Sequence, residues 1–338
     1  MGNKNLSLYI KLDDSAYSPG DYIQGDICLK IPSAMRVESL ILQLFGVESV
    51  HWEDFSGEEK AAIATHQAKN VIIEKALTVY IWSQCLGKKG QYVFPFTIIL
   101  PNSMPGSFSY EASMIKASIK YYLTATLIST PEPYSLTQEI KLIQPHIEHN
   151  SDLSVGCVST AITGCCMLNY GVLFLRARFD KTSYATDDIL GVIVDIDHAK
   201  CSINVGIIEV TLFRSMLLRS NDGSQKILKE RISQKSVRAR TRNSLLINEG
   251  LRIPFALANL ESEIKEKCTT KGQLINCSYS AHVRTVMDSG CAGPESEVEI
   301  WTEIKPKVTK TQHPKPKKWK PVFMPAVRFA PSAPPLEN

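Results

Sequence analysis

Leu6, Leu8, Ile10 and Leu12 stand at every second residue and run into Tyr17-Ser18-Pro19-Gly20-Asp21-Tyr22-Ile23. In the second half of the chain Leu173, Leu175, Ala177 and Phe179 keep the same spacing before Tyr184-Ala185-Thr186-Asp187-Asp188-Ile189-Leu190. Apolar residues at period two, closed by a turn and followed by a second apolar run, predict two half-buried antiparallel strands. One supersecondary pattern therefore opens each half. The echo continues in order. Phe94-Pro95-Phe96, with Leu100-Pro101 after it, is answered by Ile253-Pro254-Phe255, and Tyr122-Leu123-Thr124-Ala125 by Tyr279-Ser280-Ala281-His282-Val283. Proline has no N–H for a sheet ladder, which sends these prolines to strand ends or edges. The fold expected is all-β, two similar domains in tandem.

A chain of 338 residues that is 44% hydrophobic can build two cores. Charged residues make up 21% and the net charge is +4, too mild for a dedicated nucleic-acid binder. No apolar run reaches the length of a membrane span and the first residues carry no apolar signal-peptide core, which sets the expectation of a cytosolic protein. Of nine cysteines, Cys28, Cys85 and Cys201 lie in apolar strand-like runs and read as reduced, buried thiols. Cys157, Cys165 and Cys166 cluster between the halves without the paired C-x-x-C spacing of a zinc site. Met1-Gly2-Asn3-Lys4-Asn5-Leu6 misses a myristoylation signal because Leu6 stands where Ser or Thr is wanted.

The pattern breaks between Phe55 and Lys69, read as a polar, Ala-rich surface insertion, and strand composition resumes from Val71 to Trp82. Residues 1–148 form the first expected domain, 149–170 a linker with room for one interdomain strand, and 171–304 the second domain. Residues 305–338 form a tail whose Pro and Lys content predicts disorder.

Several turn and strand-end pieces occur in the order found in one family. They are Tyr17-x-Pro19-Gly20-Asp21-x-x-x-Gly25, Leu40-x-Leu42-x-Leu44-x-Gly46-x-Glu48 with Trp52, Phe94-Pro95-Phe96 with Leu100-Pro101, Pro105-Gly106-Ser107-Phe108, and Ile119 to Leu123. Together they resemble the amino-terminal domain of an arrestin, and the α-arrestin (arrestin-domain-containing) branch more than the visual and β-arrestins. The resemblance implies two tandem antiparallel immunoglobulin-like β-sandwich domains and an adaptor that binds membrane-protein cargo tails. It extends less well into the second half, where Thr186-Asp187 replaces the family's Pro-Gly. Gln24 stands where the phosphate-sensing relatives carry an acid before the glycine, and Lys11 alone answers their paired lysines, so their phosphate switch is not carried across.

Chemistry is expected in two places. Pro331-Ser332-Ala333-Pro334 resembles the P-[ST]-A-P motif taken up by the ubiquitin-E2-variant domain of ESCRT-I; prolines hold such a segment extended before docking. The family's Pro-Pro-x-Tyr ligase motif is absent, because Pro334-Pro335 runs into Leu336, so any ubiquitin ligase would be reached indirectly. Lys229, Arg231, Arg238, Arg240 and Arg242, with Lys226 and Lys235, form a basic stretch that fits either anionic lipid or an acidic cargo tail, or else a solvated strand face. No G-x-S-x-G, G-x-x-x-x-G-K or H-E-x-x-H string is present, and His146-Ile147-Glu148-His149 lacks a third ligand nearby, so no catalysis, cofactor or metal is expected. The rival readings are a retromer-type arrestin-fold coat subunit and, further off, a thiol- or metal-dependent enzyme using the cysteines or histidines between the halves.

Overall fold

The computed structural model describes residues 6–56, 62–144, 151–164, 168–239, 250–288, 292–307 and 321–329. The first half carries β1 (Ser7–Leu12), β2 (Ala16–Tyr17), β3 (Tyr22–Ile31), β4 (Met35–Ser56), β5 (Ala62–Ile81), β6 (Leu86–Gly87), β7 (Gly90–Ile99), β8 (Phe108–Ala112), β9 (Ile115–Ser129) and β10 (Tyr134–Leu142). The second carries β11 (Val155–Gly164), β12 (Asn169–Phe179), β13 (Ser183–Ala185), β14 (Ile189–Cys201), β15 (Val205–Arg219), β16 (Gln225–Arg238), β17 (Leu251–Ala256) and the single helical turn α1 (Glu261–Ile264). It closes with β18 (Thr270–Lys271), β19 (Ile275–Met287), β20 (Ala292–Gly293) and β21 (Ser296–Lys305). Two short strands follow, β22 (Val322–Phe323) and β23 (Val327–Phe329).

Four sheets result. In the first half the order β1-β3-β7 faces β2-β10-β9-β4-β5; in the second, β12-β14-β17 faces β13-β21-β19-β15-β16. These shared strands are arranged alike, down to the parallel pairs β2 with β10 and β13 with β21; β11 and β20 extend the second sandwich beyond β12, where the first has no counterpart among the described residues. Period-two alternation drives each sandwich. On β9 the buried residues are Ala117, Ile119, Tyr121, Leu123, Ala125 and Leu127; on β19 they include Ile275, Cys277, Tyr279, Ala281 and Val283. Fully burying one of the larger aliphatic side chains among them contributes about 1.5–3 kcal/mol.

Register refines the expected echo in two places. Gly46 lies opposite Tyr121 and Arg214 opposite Tyr279, while Leu142 and Ile304 hold matching places beside Tyr17 and Tyr184. The counterpart of Tyr279 is therefore Tyr121 and not Tyr122. Tyr121 and Tyr279 face inward while Tyr122 does not, and both donate to a loop carbonyl, of Pro105 and Lys267 respectively, at 2.7 Å. The proline strands are offset by two residues. Leu100 N–H binds the Asp21 carbonyl and Leu257 N–H the Asp188 carbonyl, both at 3.0 Å, which aligns Phe96 with Ile253. A two-residue slip keeps every apolar residue on its face, so alternation alone could not detect it.

Three further expectations are changed. The supposed insertion is strand: β4 and β5 pair from Ser39 with Ile81 out to Ser56 with Ala62, and only 57–61 lie outside the described residues. Alternation there is weakly apolar because the end of the hairpin leaves its own sandwich. The one strand allowed for within 149–170 is present as β11, Val155–Gly164, but it belongs to the second sandwich, paired to β12 on one side and at Thr163 and Gly164 to β20 on the other. Within the tail, β22 and β23 lie parallel on the outer edge of β7, whose unpaired backbone groups accept a fourth strand. Pro331 to Pro334, Gly2, Cys165, Cys166 and His146 to His149 lie outside the described residues.

The turn that opens the first half is clipped shut. Ser18 N–H reaches the Asp21 carboxylate at 2.8 Å, Gly20 N–H reaches the Pro101 carbonyl at 3.0 Å, and Gly20 has φ +85°, where a side chain is strained. At Gly25 a Cβ would sit 2.4 Å from the Lys11 carbonyl oxygen. Gly25→Ala is accordingly expected to destabilise the chain by about 1–3 kcal/mol, seen as a lower urea midpoint with an unchanged m-value. An unchanged midpoint would contradict this packing.

Candidate interaction surfaces

A second, unanticipated use is made of the inward faces of β4 and β15. The inward row of β4 reads Leu40, Leu42, Leu44, Gly46, Glu48, Val50, Trp52, and that of β15 reads Val210, Leu212, Arg214, Met216, Leu218. Each apolar row carries one charge, and both charges sit where the halves meet.

Glu48 is fully buried, and its carboxylate accepts three backbone N–H groups from the loop before β19: Gln273 at 3.1 Å, Leu274 at 3.0 Å and Ile275 at 2.7 Å. A Cβ at Gly272 would lie 2.1 Å from the same carboxylate, so glycine there lets the loop close on it. Hydrogen bonds to a charged acceptor are the strong ones, and three of them offset the cost of burying the charge. Nearby, Gln144 Oε1 accepts Lys271 N–H at 2.6 Å, and Ser109 N–H binds the Glu266 carbonyl at 2.7 Å.

Arg214 does the reverse. Its guanidinium, 1% exposed, binds Glu230 of β16 and the Glu263 carbonyl of α1, and Tyr110 of the first half donates to Glu230 at 2.5 Å. Burial raises the Glu230 pKa, but the hydrogen bonds from Tyr110 and Arg214 overcome it and hold the carboxyl below its usual value. Desolvation, with Glu230 as acceptor, pushes Tyr110 up to about 12.

At the far end of the hairpin, His66 stacks on Trp52 with ring centroids 5.2 Å apart. Its Nδ1 lies 2.8 Å from Asp222 and its Nε2 3.9 Å from Asp54. Lys226 binds Asp54, and Asn221 N–H reaches the Gln67 carbonyl at 3.3 Å. The Lys226 hydrogen bond holds Asp54 below its usual pKa, and Ser220, Ser224 and His66 do the same for Asp222.

The basic stretch divides across β16. Lys229, Arg231 and Arg238 share its outward face, while Lys226 turns to Asp54 and Lys235 donates to the Pro254 carbonyl over the ring of Phe255. Lys229 is bound by Glu299 at 2.9 Å and lies 4.8 Å above the Phe213 ring, and Arg231 donates to Gln234 at 3.1 Å. Arg240 and Arg242 lie outside the described residues. Cys28 is buried and Cys157 exposed, both free; Cys85 and Cys201 are half-buried, less enclosed than expected. Among the described residues no three His, Cys, Asp or Glu side chains gather to hold a metal, and no helix is long and apolar enough to cross a membrane.

Two predictions follow from the seam. Glu48→Ala takes the acceptor from three N–H groups, the one at Ile275 buried and the other two partly so, and is expected to cost about 3 kcal/mol, with amide exchange speeding up first at Gln273 to Ile275. Uniform exchange, with those three amides still protected, would contradict the role of Glu48. Asp54, Asp222 and Glu230 all have folded pKa values below their unfolded ones. Their contribution is complete above about pH 5 and is lost as the pH falls through the folded values. Protection across 221–230, taken relative to the intrinsic exchange rate at each pH, should therefore fall on acidification toward about pH 3, and fall less in Asp54→Asn; protection independent of pH would count against the seam.

Tyr17 ends β2, Pro19, Gly20 and Asp21 form the clipped turn with Pro101 as its acceptor, and Gly25, Phe94, Pro95 and Phe96 lie in the β3–β7 pair beyond it. The family described as arrestin (or S-antigen), N-terminal domain, matches residues 6–150, which span β1 to β10. Topology, clipped turn and match agree that this segment is similar to an arrestin amino-terminal domain, and they support the arrestin family for the chain.

Proposed function

We propose that the chain is a non-catalytic adaptor of the α-arrestin type that binds membrane-protein cargo tails through its sandwiches and passes them to endosomal sorting. The observation that carries this reading is the seam. Buried charges join a sandwich similar to an arrestin amino-terminal domain to a second sandwich of similar topology, which suits a molecule whose work is to present two surfaces in a set relation.

The tail supplies the second connection. β23 anchors it to the first sandwich and ends two residues before Pro331, and the motif Pro331-Ser332-Ala333-Pro334 that follows is the part taken up by the ubiquitin-E2-variant domain of ESCRT-I. Anionic headgroups at the cytoplasmic face of plasma membrane or endosome would meet Lys229, Arg231 and Arg238, and a ubiquitin ligase would be reached through the sorting machinery. Weak contacts of this kind raise one another's effective concentration. Capture of the ESCRT-I domain by the full chain should drop at least about tenfold in Pro334→Ala and in Ala333→Arg. Undiminished capture by both variants would remove the tail motif from the mechanism.

A further inference from the structure

Equivalent rows of side chains cross the outward faces of the two larger sheets. In the second sandwich the row reads Trp301 on β21, Ser280 on β19, Phe213 on β15 and Arg231 on β16. In the first it reads Glu139 on β10, Tyr122 on β9, Phe45 on β4 and Glu74 on β5. The rows correspond residue by residue, because Tyr122 follows Tyr121 as Ser280 follows Tyr279, and Phe45 precedes Gly46 as Phe213 precedes Arg214. A phenylalanine therefore stands at the same outward place in each half.

The second half shows what such a ring holds. Lys229 sits 4.8 Å above Phe213 and is pinned there by Glu299 at 2.9 Å, whose carboxylate also accepts Ser280 Oγ at 2.7 Å. The ring face attracts the ammonium and the carboxylate fixes it. Lys229 reaches the ring from the neighbouring row, opposite Ser215.

The first half has the ring and the carboxylates without the cation. Phe45 and Tyr122 are half-buried side by side, and Glu74 and Glu139 are exposed at the two ends of the row, with Gln43 donating to Glu74 at 3.2 Å. In the neighbouring row, opposite Val47, the place of Lys229 is taken by Val71, which is 49% exposed. The nearby lysines lean elsewhere. Lys141 lies 3.9 Å from Glu266, and Lys116, with a smaller share from Lys120, holds the Glu111 carboxyl below its usual value. Among the described residues no cation lies over Phe45 or Tyr122, and none pairs with Glu74 or Glu139.

We infer that the row Glu139, Tyr122, Phe45, Glu74 is a docking site for an arginine-bearing extended segment of a partner protein. Three strand spacings separate the two carboxylates, about 14 Å, and three arginines at alternate positions of an extended segment span about the same distance. The outer two meet Glu74 and Glu139 while the middle one stacks on the rings. Arginine suits the place better than lysine, because its planar group stacks and also takes a carboxylate with two hydrogen bonds. The site lies on the outward face of the first sandwich and is independent of the sorting motif and of the trafficking assignment.

The test titrates a fluorescent peptide, three arginines alternating with serines, into the full chain. Val71→Lys supplies from within the cation that Lys229 supplies to Phe213, and should weaken binding at least about fivefold. Glu74→Gln with Glu139→Gln should weaken it about fivefold to tenfold, and Phe45→Leu about threefold. Phe213→Leu, where the ring is already capped, should leave binding unchanged, and a peptide with lysines for arginines should bind at least about threefold more weakly. A peptide that does not bind, or that binds the unaltered chain, Val71→Lys and Phe45→Leu equally, would overturn the site. So would an equal loss in Phe213→Leu and Phe45→Leu. Binding that tightens about tenfold when Lys315, Lys317, Lys318 and Lys320 are all changed to Ala would also overturn it, by making the chain's own basic segment the occupant.

Discussion

A carboxylate buried between two sandwiches sets the terms for the rest of this molecule. Glu48 stands in a row of apolar residues on β4 and has no water to turn to, so it needs donors, and the loop at Gln273 to Ile275 supplies three. Removing either side leaves charge or N–H groups stranded, a penalty larger than the net gain from making the bonds. Arg214 repeats the device from the opposite half, with Tyr110 and Glu230 as intermediaries. A seam built this way is specific in register, because apolar contacts would tolerate sliding and these bonds do not.

Duplication supplies the two bodies that the seam joins. Each half folds the strands they share into the same order, and the inward tyrosines Tyr121 and Tyr279 hold matching places. The halves then differ at the points where they serve each other: Gly46 of β4 answers Arg214 of β15, and Glu48 answers Met216. Similar strands thus came to carry opposite charges at one junction, which accounts for two domains that are alike in topology and unlike in their inward chemistry.

Much of this was legible in the sequence because it depends on period and turn chemistry. Alternation at Leu6 to Leu12 and at Leu173 to Phe179 specifies half-buried strands, and Pro19-Gly20-Asp21 specifies the turn that leads from the first of them into β3. Exact correspondence was not legible, since a slip of two residues preserves alternation; the Tyr122 pairing failed differently, by taking the outward tyrosine for the inward one. The seam left a visible trace in the single charges at Glu48 and Arg214 within apolar rows, but the contacts that cross it, from Glu48 to Gln273–Ile275 and from Tyr110 to Glu230, join residues more than a hundred apart and leave no local signal. The tail misled because Pro and Lys dominate its composition, while the strand-forming residues Val322, Phe323, Val327 and Phe329 are few and matter only where an open edge awaits them.

The central claim is that the two sandwiches move as one body, fastened through Glu48 and Arg214. Residual dipolar couplings of backbone amides in the full chain measure this most directly. A single alignment tensor should fit β1 to β10 and β11 to β21 together; separate tensors of different magnitude for the two sandwiches would contradict the account.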